Sequence, residues 1–459
     1  MTFRFIVTRL WRNPLPVGRL GGAAALAVLL AGCGILAPAT EKAARARAEK
    51  VSLAYRPGEL KLPELKAGSP FDDYLKYALL NNPDVQAAYF DWHAGIERIT
   101  VARSLPDPRL TFQMDIQNGI PSVMPGLQFD LPGPGKLTAA ANIAAAGSDA
   151  QYYTFVRICR QTAFNLASAG QEILFLDRKQ AILQESLQLM NEIEELAQGL
   201  NLTNQATIQD VLRAQIEQEK RRTEIRNLTT ARQVAEQKFR AALGGTDWRQ
   251  PLILPEKYPA LPVDPAWNWK FLQDAYAHSP ELRILRAEIV RAEASLDLAY
   301  KGNIPDFSAG AEMDALAAPI LVRPMASMTL PIWREKIAAA IAAAQADRQA
   351  AGVKLSARKI ALAVEFAEKS YLIKEAVRNL ESLHSQLLPK AQMAVLAARG
   401  AYAAGKVDFQ TVLDAERSRL NLEVEEAAMQ FQHEVAVWKI YLLVAGQYPG
   451  GNGGASLEE

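Results

Sequence analysis

Few side chains in this sequence could hold a metal ion or act as a nucleophile. The usual groups are imidazole and thiolate, and the chain offers four histidines, His93, His278, His384 and His433, and two cysteines, Cys33 and Cys159. Metal sites on helices place two histidines four residues apart, and structural zinc sites space their cysteines closely. Here the histidines are scattered and none has a neighbouring cysteine, so each reads as a structural residue. Met114, Met124, Met313, Met325 and Met328 form two groups whose thioethers would suit a soft cation. Packing or lipid contact is the expected role for them, and Cys159 reads as a small apolar core residue. No catalytic constellation emerges, and no cofactor is implied. With 51 basic against 50 acidic residues the chain lacks the basic excess of a nucleic-acid binder, and 49% apolar with 22% charged composition reads as folded.

One of the two cysteines does point to chemistry. Arg4, Arg9, Arg12 and Arg19 precede the apolar run "GGAAALAVLLAG", which stops at Cys33. The run is 12 residues long, whereas crossing a bilayer takes ~20. "LAGC" resembles the lipobox of bacterial lipoprotein signals, in which the cysteine becomes the acylated first residue of the mature chain. Residues 1–32 are therefore expected to be a signal peptide. Gly34 and Ile35 follow the cysteine, and the lack of Asp there suits the outer membrane, again by resemblance.

The elements that would position any site are written twice. "NNPDVQAA" at 81–88 returns as "HSPELRIL" at 278–285, "LPDPRLTF" at 105–112 as "IPDFSAGA" at 304–311, and "LPGPGKL" at 131–137 as "LPIWREKI" at 330–337. Gln209, Val211, Leu212 and Ala214 meet Gln410, Val412, Leu413 and Ala415. A repeat near 200 residues is too long for a solenoid unit and reads as a duplicated domain. The division is an extended N-terminal segment at 33–70, a first repeat at 71–247, a proline-rich linker at 248–269, a second repeat at 270–447 and a tail at 448–459. Pro251, Pro255, Pro259, Pro262 and Pro265 keep the linker out of helix or central strand.

Each repeat opens with a helix, expected from about Phe71 to Arg103 and from about Lys270 to Lys301. Two short strands follow. Leu110, Phe112, Met114 and Ile116 alternate with polar residues, as do Leu127, Phe129 and Leu131, the period of a strand with one apolar face. The second pair is weaker, with Phe307, Ala309, Ala311 and Met313, then Ala326, Met328 and Leu330. Long helices come next. Leu176, Leu183, Met190 and Ala197 hold a seven-residue spacing, and the stretch from Leu137 to Asn201 would make a rod of ~100 Å. The alanine-rich starts "AAANIAAAG" (139–147) and "IAAAIAAAQA" (337–346) suit close helix approach. Asn204 and Gly405 tolerate the left-handed conformation that ends a helix, and Thr207 and Asp408 suit the cap of the next. Each repeat thus carries a helical hairpin with a tight turn at its tip, and the fold is mainly α with a small β part.

"NNPDVQAA", "SLPDPRL", "PGPGKL", "LLPKAQ" and above all "YAAGKVDFQTVLDAE" (402–416) together resemble the TolC-like outer-membrane factor family, over roughly 70–447. "SLPDP" with the lipobox looks most like the branch serving resistance-nodulation-division and heavy-metal pumps. The resemblance implies a homotrimer whose twelve strands form one outer-membrane barrel, continued by a periplasmic helical barrel. It implies a passive efflux duct, fed by an inner-membrane pump through a periplasmic adaptor. The adaptor would meet the tips at Asn204, Gln205 and Ala206 and at Gly405, Lys406 and Val407, with Gln205, Ala206, Lys406 and Val407 exposed. Asp414 matches a family acid lining the entrance, with Asp210 in the corresponding place; Thr411 stands where the family has a second acid. A duct for protein secretion shares the fold, and a periplasmic coiled-coil adaptor is the rival of another class.

The N-terminus is directly testable. Mass spectrometry of the mature protein is expected to find an acylated Cys33 as the first residue; cleavage elsewhere, or an unmodified Cys33, contradicts the reading.

Overall fold

The computed structural model describes residues 37–117, 120–245, 249, 252–258, 269–314 and 320–444. The signal peptide with Cys33, most of the proline-rich linker and the 448–459 tail lie outside the described residues. In chain order the helices are α1 (Ala39–Ala54), α2 (Phe71–Asn81) and α3 (Pro83–Arg103), then strands β1 (Arg109–Gln117) and β2 (Ile120–Leu131). Helices α4 (Lys136–Leu202), α5 (Ile208–Ala242), α6 (Trp269–His278) and α7 (Pro280–Tyr300) lead to β3 (Phe307–Asp314) and β4 (Leu321–Met328). Helix α8 (Arg334–Ser382), a π turn (Leu383–Leu387), α9 (Leu388–Ala403) and α10 (Phe409–Val444) close the chain. The described residues fall into two compact units, one from 37–49, 92–150 and 286–353, the other from 50–91, 151–285 and 354–444.

The first unit holds the sheet. Its order is β1-β2-β3-β4, antiparallel throughout, so the two strand pairs read from sequence join through β2 and β3 into one four-stranded sheet. The two hairpins share a register: Leu110 faces Leu127, and 199 positions later Ala309 faces Ala326. The alternation puts Leu110, Phe112, Met114, Leu127, Phe129, Met313 and Met328 on one face, and all of these are exposed in the single chain. The opposite face carries Thr111, Gln128, Asp130, Ser308, Glu312 and Ser327, of which all but the exposed Ser327 are half-buried or buried. There Arg109 pairs with Asp130 at 3.0 Å and the Ser308 and Ser327 hydroxyls meet at 2.7 Å.

Where sheet meets helix, the second "LPDP"-like motif grips the first glycine-rich turn. Asp306 Oδ1 accepts from the Gly133 N–H and from Lys136 Nζ, each at 2.7 Å. Burial would raise this carboxyl's pKa, but the lysine and the amide outweigh it and hold it below the usual range. Gly133 is obligatory at this spot, because a Cβ there would lie 2.5 Å from the Pro305 carbonyl.

The segment before residue 70, expected to be extended, contains α1. Its apolar contacts, Ala44, Ala48, Val51 and Tyr55, recur at helical spacing and are buried, and Glu41, 1% exposed, accepts from Arg45, Thr100 and Arg103. The helix expected from Phe71 to Arg103 is two helices. Pro83 disfavours helical backbone at the preceding residue, and Asn82 sits at φ −69°, ψ 123°. The break has a use. Asn82 Oδ1 accepts from the Asp84 N–H at 2.9 Å, while its Nδ2 reaches the carbonyls of Ala241 and Ala242 and Asn81 Nδ2 that of Leu243. One Asn-Asn-Pro motif thus starts α3 and satisfies the end of α5. Ser279–Pro280 interrupts the second copy in the same way.

The second unit is helical. Leu176, Leu183, Met190 and Ala197 are all buried, as the seven-residue spacing requires, and α4 runs one residue beyond its expected limits at each end. The other long helix is not continuous. Pro389 has no N–H for the carbonyl four residues back, and the strain falls in the π turn just before it. In the first unit the two alanine-rich stretches also part company. Ala139 and Ala141 are buried, whereas Ala338, Ala339 and Ala340 are exposed, so close packing within the chain holds only for the first.

Candidate functional site

The two hairpin tips are built alike. Asn204 is the one non-glycine residue with positive φ among the described residues, at 57°, and Gly405 matches it at 65°. In the first tip the N–H of Gln205 returns to the Leu200 carbonyl at 2.8 Å; in the second, that of Lys406 returns to Ala401 at 2.8 Å. Both are helix stops with a left-handed residue, and they satisfy carbonyls the helix leaves orphaned. The following caps use the same chemistry in opposite order. Asp210 Oδ2 accepts from the Thr207 N–H at 3.2 Å, whereas Asp408 Oδ1 accepts from the Thr411 N–H at 3.0 Å and its hydroxyl at 2.6 Å. Those bonds from Thr411 hold the Asp408 carboxyl below the usual range.

The tip residues divide. Gln205 and Lys406 are exposed, but Ala206 and Val407 turn inward against Leu200, Phe409, Val412 and their neighbours beneath the turns. Their expected exposure is corrected accordingly: apolar side chains beside a left-handed turn pack back onto the helix end. Sequence reasoning missed the exposed Leu202, Ile208, Leu212 and Ile216 around the first tip. Their four-residue spacing from 208 to 216 was the available signal.

Asp414 is exposed and accepts from Gln410 Nε2 at 2.8 Å, with Arg417 at 3.6 Å. Arg417 also donates to Glu217 of the other hairpin at 2.8 Å, so the second tip helix is tied to α5 two turns from each tip. Burial would raise the Glu217 pKa, but Lys220 and Arg417 prevail and lower it. Deeper lies a charge cluster. Arg419, 5% exposed, holds both oxygens of Glu416 at 2.9 and 3.0 Å and Glu423 at 2.7 Å. The Ser186 hydroxyl of α4 donates to Glu416 at 2.9 Å. Burial, partly offset by Arg419, pushes the Glu423 carboxyl up. Glu and Arg spaced on a helix read as a solvated face, which is why this cluster escaped the sequence.

The histidines stay apart. His278 Nδ1 meets the Asp274 carbonyl, His384 bonds Glu426 at 2.6 Å and His433 meets Glu434. Burial lowers the His93 pKa. Among the described residues no three His, Cys, Asp or Glu side chains converge on a metal site, and no helix is long and apolar enough to cross a membrane. Met124 is buried on the polar side of the sheet, while Met114, Met313 and Met328 face outward.

The four-stranded sheet with its exposed apolar face and the long paired helices belong to a fold shared with solved structures. The chain superposes on the outer-membrane channel OprN with a TM-score of 0.71 at 17% identity, over 85% of this chain and 99% of that one. The outer membrane protein VceC of Vibrio cholerae matches with a TM-score of 0.70 at 16% identity, over 81% and 95%. Residues 74–245 match the family model described as Outer membrane efflux protein. The chain is also 24% identical, over 75% of its length and 82% of the relative's, to the cobalt-zinc-cadmium resistance protein CzcC of Cupriavidus metallidurans. The resemblance to the TolC-like outer-membrane factors therefore stands.

The buried cluster carries a quantitative expectation. Arg419→Met leaves Glu416 and Glu423 buried without their guanidinium, a loss of about 3–5 kcal/mol at neutral pH. Because the Glu423 carboxyl, already pushed up by burial, can neutralise, the deficit should shrink as pH falls from about 7 to 5. Thermal melts of the helical circular-dichroism signal at both pH values read this; an unchanged melt at pH 7 removes the cluster from the account.

Proposed function

We propose that this protein is the outer-membrane duct of a tripartite efflux system, a lipid-anchored homotrimer that conducts passively. The observation that carries the reading is the four-stranded sheet with an exposed apolar face and β1 and β4 at its edges. Four strands are too few for a membrane barrel, and lipid offers no partner to an open edge. Three copies of the sheet supply twelve strands. The shared hairpin register supports a duplicated helix–strand–strand–hairpin unit, so three chains approximate six repeats around the axis.

The helices would continue the barrel into the periplasm. A periplasmic adaptor would meet the tips around Asn204, Gln205, Gly405 and Lys406, with Ala206 and Val407 supporting the turns from beneath. The inner-membrane pump, of the resistance-nodulation-division type, would supply the energy. The cargo is a small solute, with metal cations favoured by the similarity to a cobalt-zinc-cadmium resistance protein. Asp414 from three copies would narrow the entrance, and Asp210, committed to its helix cap, would contribute less.

Two variants test the two ends of the assignment. Gly405→Val forces a β-branched residue into left-handed backbone at a strain of ~1–2 kcal/mol, while a Cβ at that position meets nothing within 4 Å. The variant is expected to keep the trimer, read by light scattering in detergent, and to lose cross-linking to the adaptor. A folded monomer in the unaltered protein contradicts the barrel; retained cross-linking contradicts docking at this tip. In planar bilayers Asp414→Asn is expected to lower cation preference, and unchanged selectivity leaves Asp414 as a solvated helix residue.

A further inference from the structure

Four residues stand in one row across the polar face of the sheet. The register sets Thr111 on β1 opposite Gly126 on β2, Gly126 opposite Glu312 on β3, and Glu312 opposite Arg323 on β4. Gly126 has no side chain, and its neighbours lean over it. A Cβ built there would lie 2.5 Å from Thr111 Oγ1 and 2.6 Å from Glu312 Cγ. The glycine therefore leaves a notch that a hydroxyl and the stem of a carboxylate share from opposite sides. Glu312 is 4% exposed. Its Oε1 and Thr111 Oγ1 are both buried, and neither has a hydrogen-bond partner among the described residues.

The cation placed to answer this carboxylate is turned elsewhere. Arg323 faces Glu312 across the strands, where opposite charges stabilise a sheet by pairing. Its Nη1 reaches past β3 and donates to Met124 Sδ on β2 at 3.5 Å, and Glu312 makes no ion pair among the described residues. A buried carboxylate without a positive partner is costly. Met124, 3% exposed, lies on the same face two residues before Gly126. One carboxylate, one hydroxyl and one thioether are thus gathered around a single notch. Oxygen donors alone would suit a hard cation such as Mg2+, whereas the added sulfur suits a borderline divalent one. With a single carboxylate and no His or Cys, the set suits a passing ion better than a resident metal centre.

We propose that Glu312, Thr111 and Met124 form a transit site for a borderline divalent cation on the inner wall of the duct, with Arg323 as its tethered competitor. The guanidinium rests on the thioether until an incoming cation takes the carboxylate and the sulfur, and its return favours release. Conduction needs that balance, because a site must bind well enough to be entered and weakly enough to be left. The inference deepens the duct reading proposed above, in which the apolar face of the sheet meets lipid and the polar face lines the lumen.

The test is equilibrium dialysis of the full-length protein in detergent against Cd2+, with Cys159→Ala as background to remove the free thiol. Glu312→Gln, which keeps the shape of the side chain, is expected to weaken uptake of about one ion per chain by about tenfold or more, the scale of a lost metal-site partner. Thr111→Val and Met124→Leu are expected to weaken it in the same direction, and excess Mg2+ is expected not to displace the ion. Arg323→Gln is expected to tighten uptake about threefold or more by removing a nearby positive charge. Combined with Glu312→Gln it is expected to give no such gain, which separates competition at this site from a general change in charge. Light scattering checks that each variant keeps the assembly of the background protein. Uptake unchanged by Glu312→Gln, or not tightened by Arg323→Gln, overturns the transit site and leaves the duct standing. Conductance in planar bilayers judges the duct separately: a background protein that forms no channel contradicts the functional reading, whatever the dialysis shows.

Discussion

An antiparallel strand presents backbone donors and acceptors on both sides, and each must find a partner before the strand can leave water. In this chain the four strands satisfy one another internally but end at β1 and β4. Their apolar side chains face outward, and in the proposed membrane setting lipid could not satisfy those edges. That requirement reaches beyond the sheet. In the proposed trimer it accounts for a contribution of only four strands from each chain.

The same accounting of backbone groups governs the helices. Long helices leave four donors orphaned at the start and four acceptors at the end, and several ends here have an identifiable answer. Asn81 and Asn82 serve the end of α5, the left-handed residues Asn204 and Gly405 stop the long helices at the tips, and Asp210 and Asp408 serve the starts of the returning ones. The motifs that recur between the halves are largely these terminators and caps. Between them the helices are held by apolar seams and by the Arg419 cluster, which links α4 and α10 through Ser186, Glu416 and Glu423.

Much of this was legible in the residues because it depends on local chemistry. Period-two alternation located the strands, the spacing of Leu176, Leu183, Met190 and Ala197 located the seam, and Asn204 and Gly405 located the turns. What was not legible depends on partners distant in sequence. Helix α1 lacks a strong apolar stripe, and its buried Glu41 makes sense only beside Thr100 and Arg103. The inward turn of Ala206 and Val407 needs the core beneath them, and the link from Arg417 to Glu217 spans two hairpins. The break at Asn82 is written in the following proline, a single-residue signal inside a longer helical pattern.

The π turn at Leu383–Leu387 changes the phase of the helix that contains it. Before the turn, Phe366 and Ile373 are buried, as are Ala376 and Leu383, each pair seven apart; after it, Ala391 and Ala398, and Val395 and Tyr402, are again seven apart. Counting in sevens from Leu383 leads to residues 390 and 397, so the buried stripe resumes one place late. In the first repeat Leu176, Leu183, Met190 and Ala197 keep step throughout. The second repeat therefore carries one additional residue at this turn, and the wider turn absorbs it before the tip. Such a bulge lets a helix gain a residue without rotating either flank away from its neighbours. In the second hairpin the buried stripe thereby continues across the turn, from Leu362 to Tyr402.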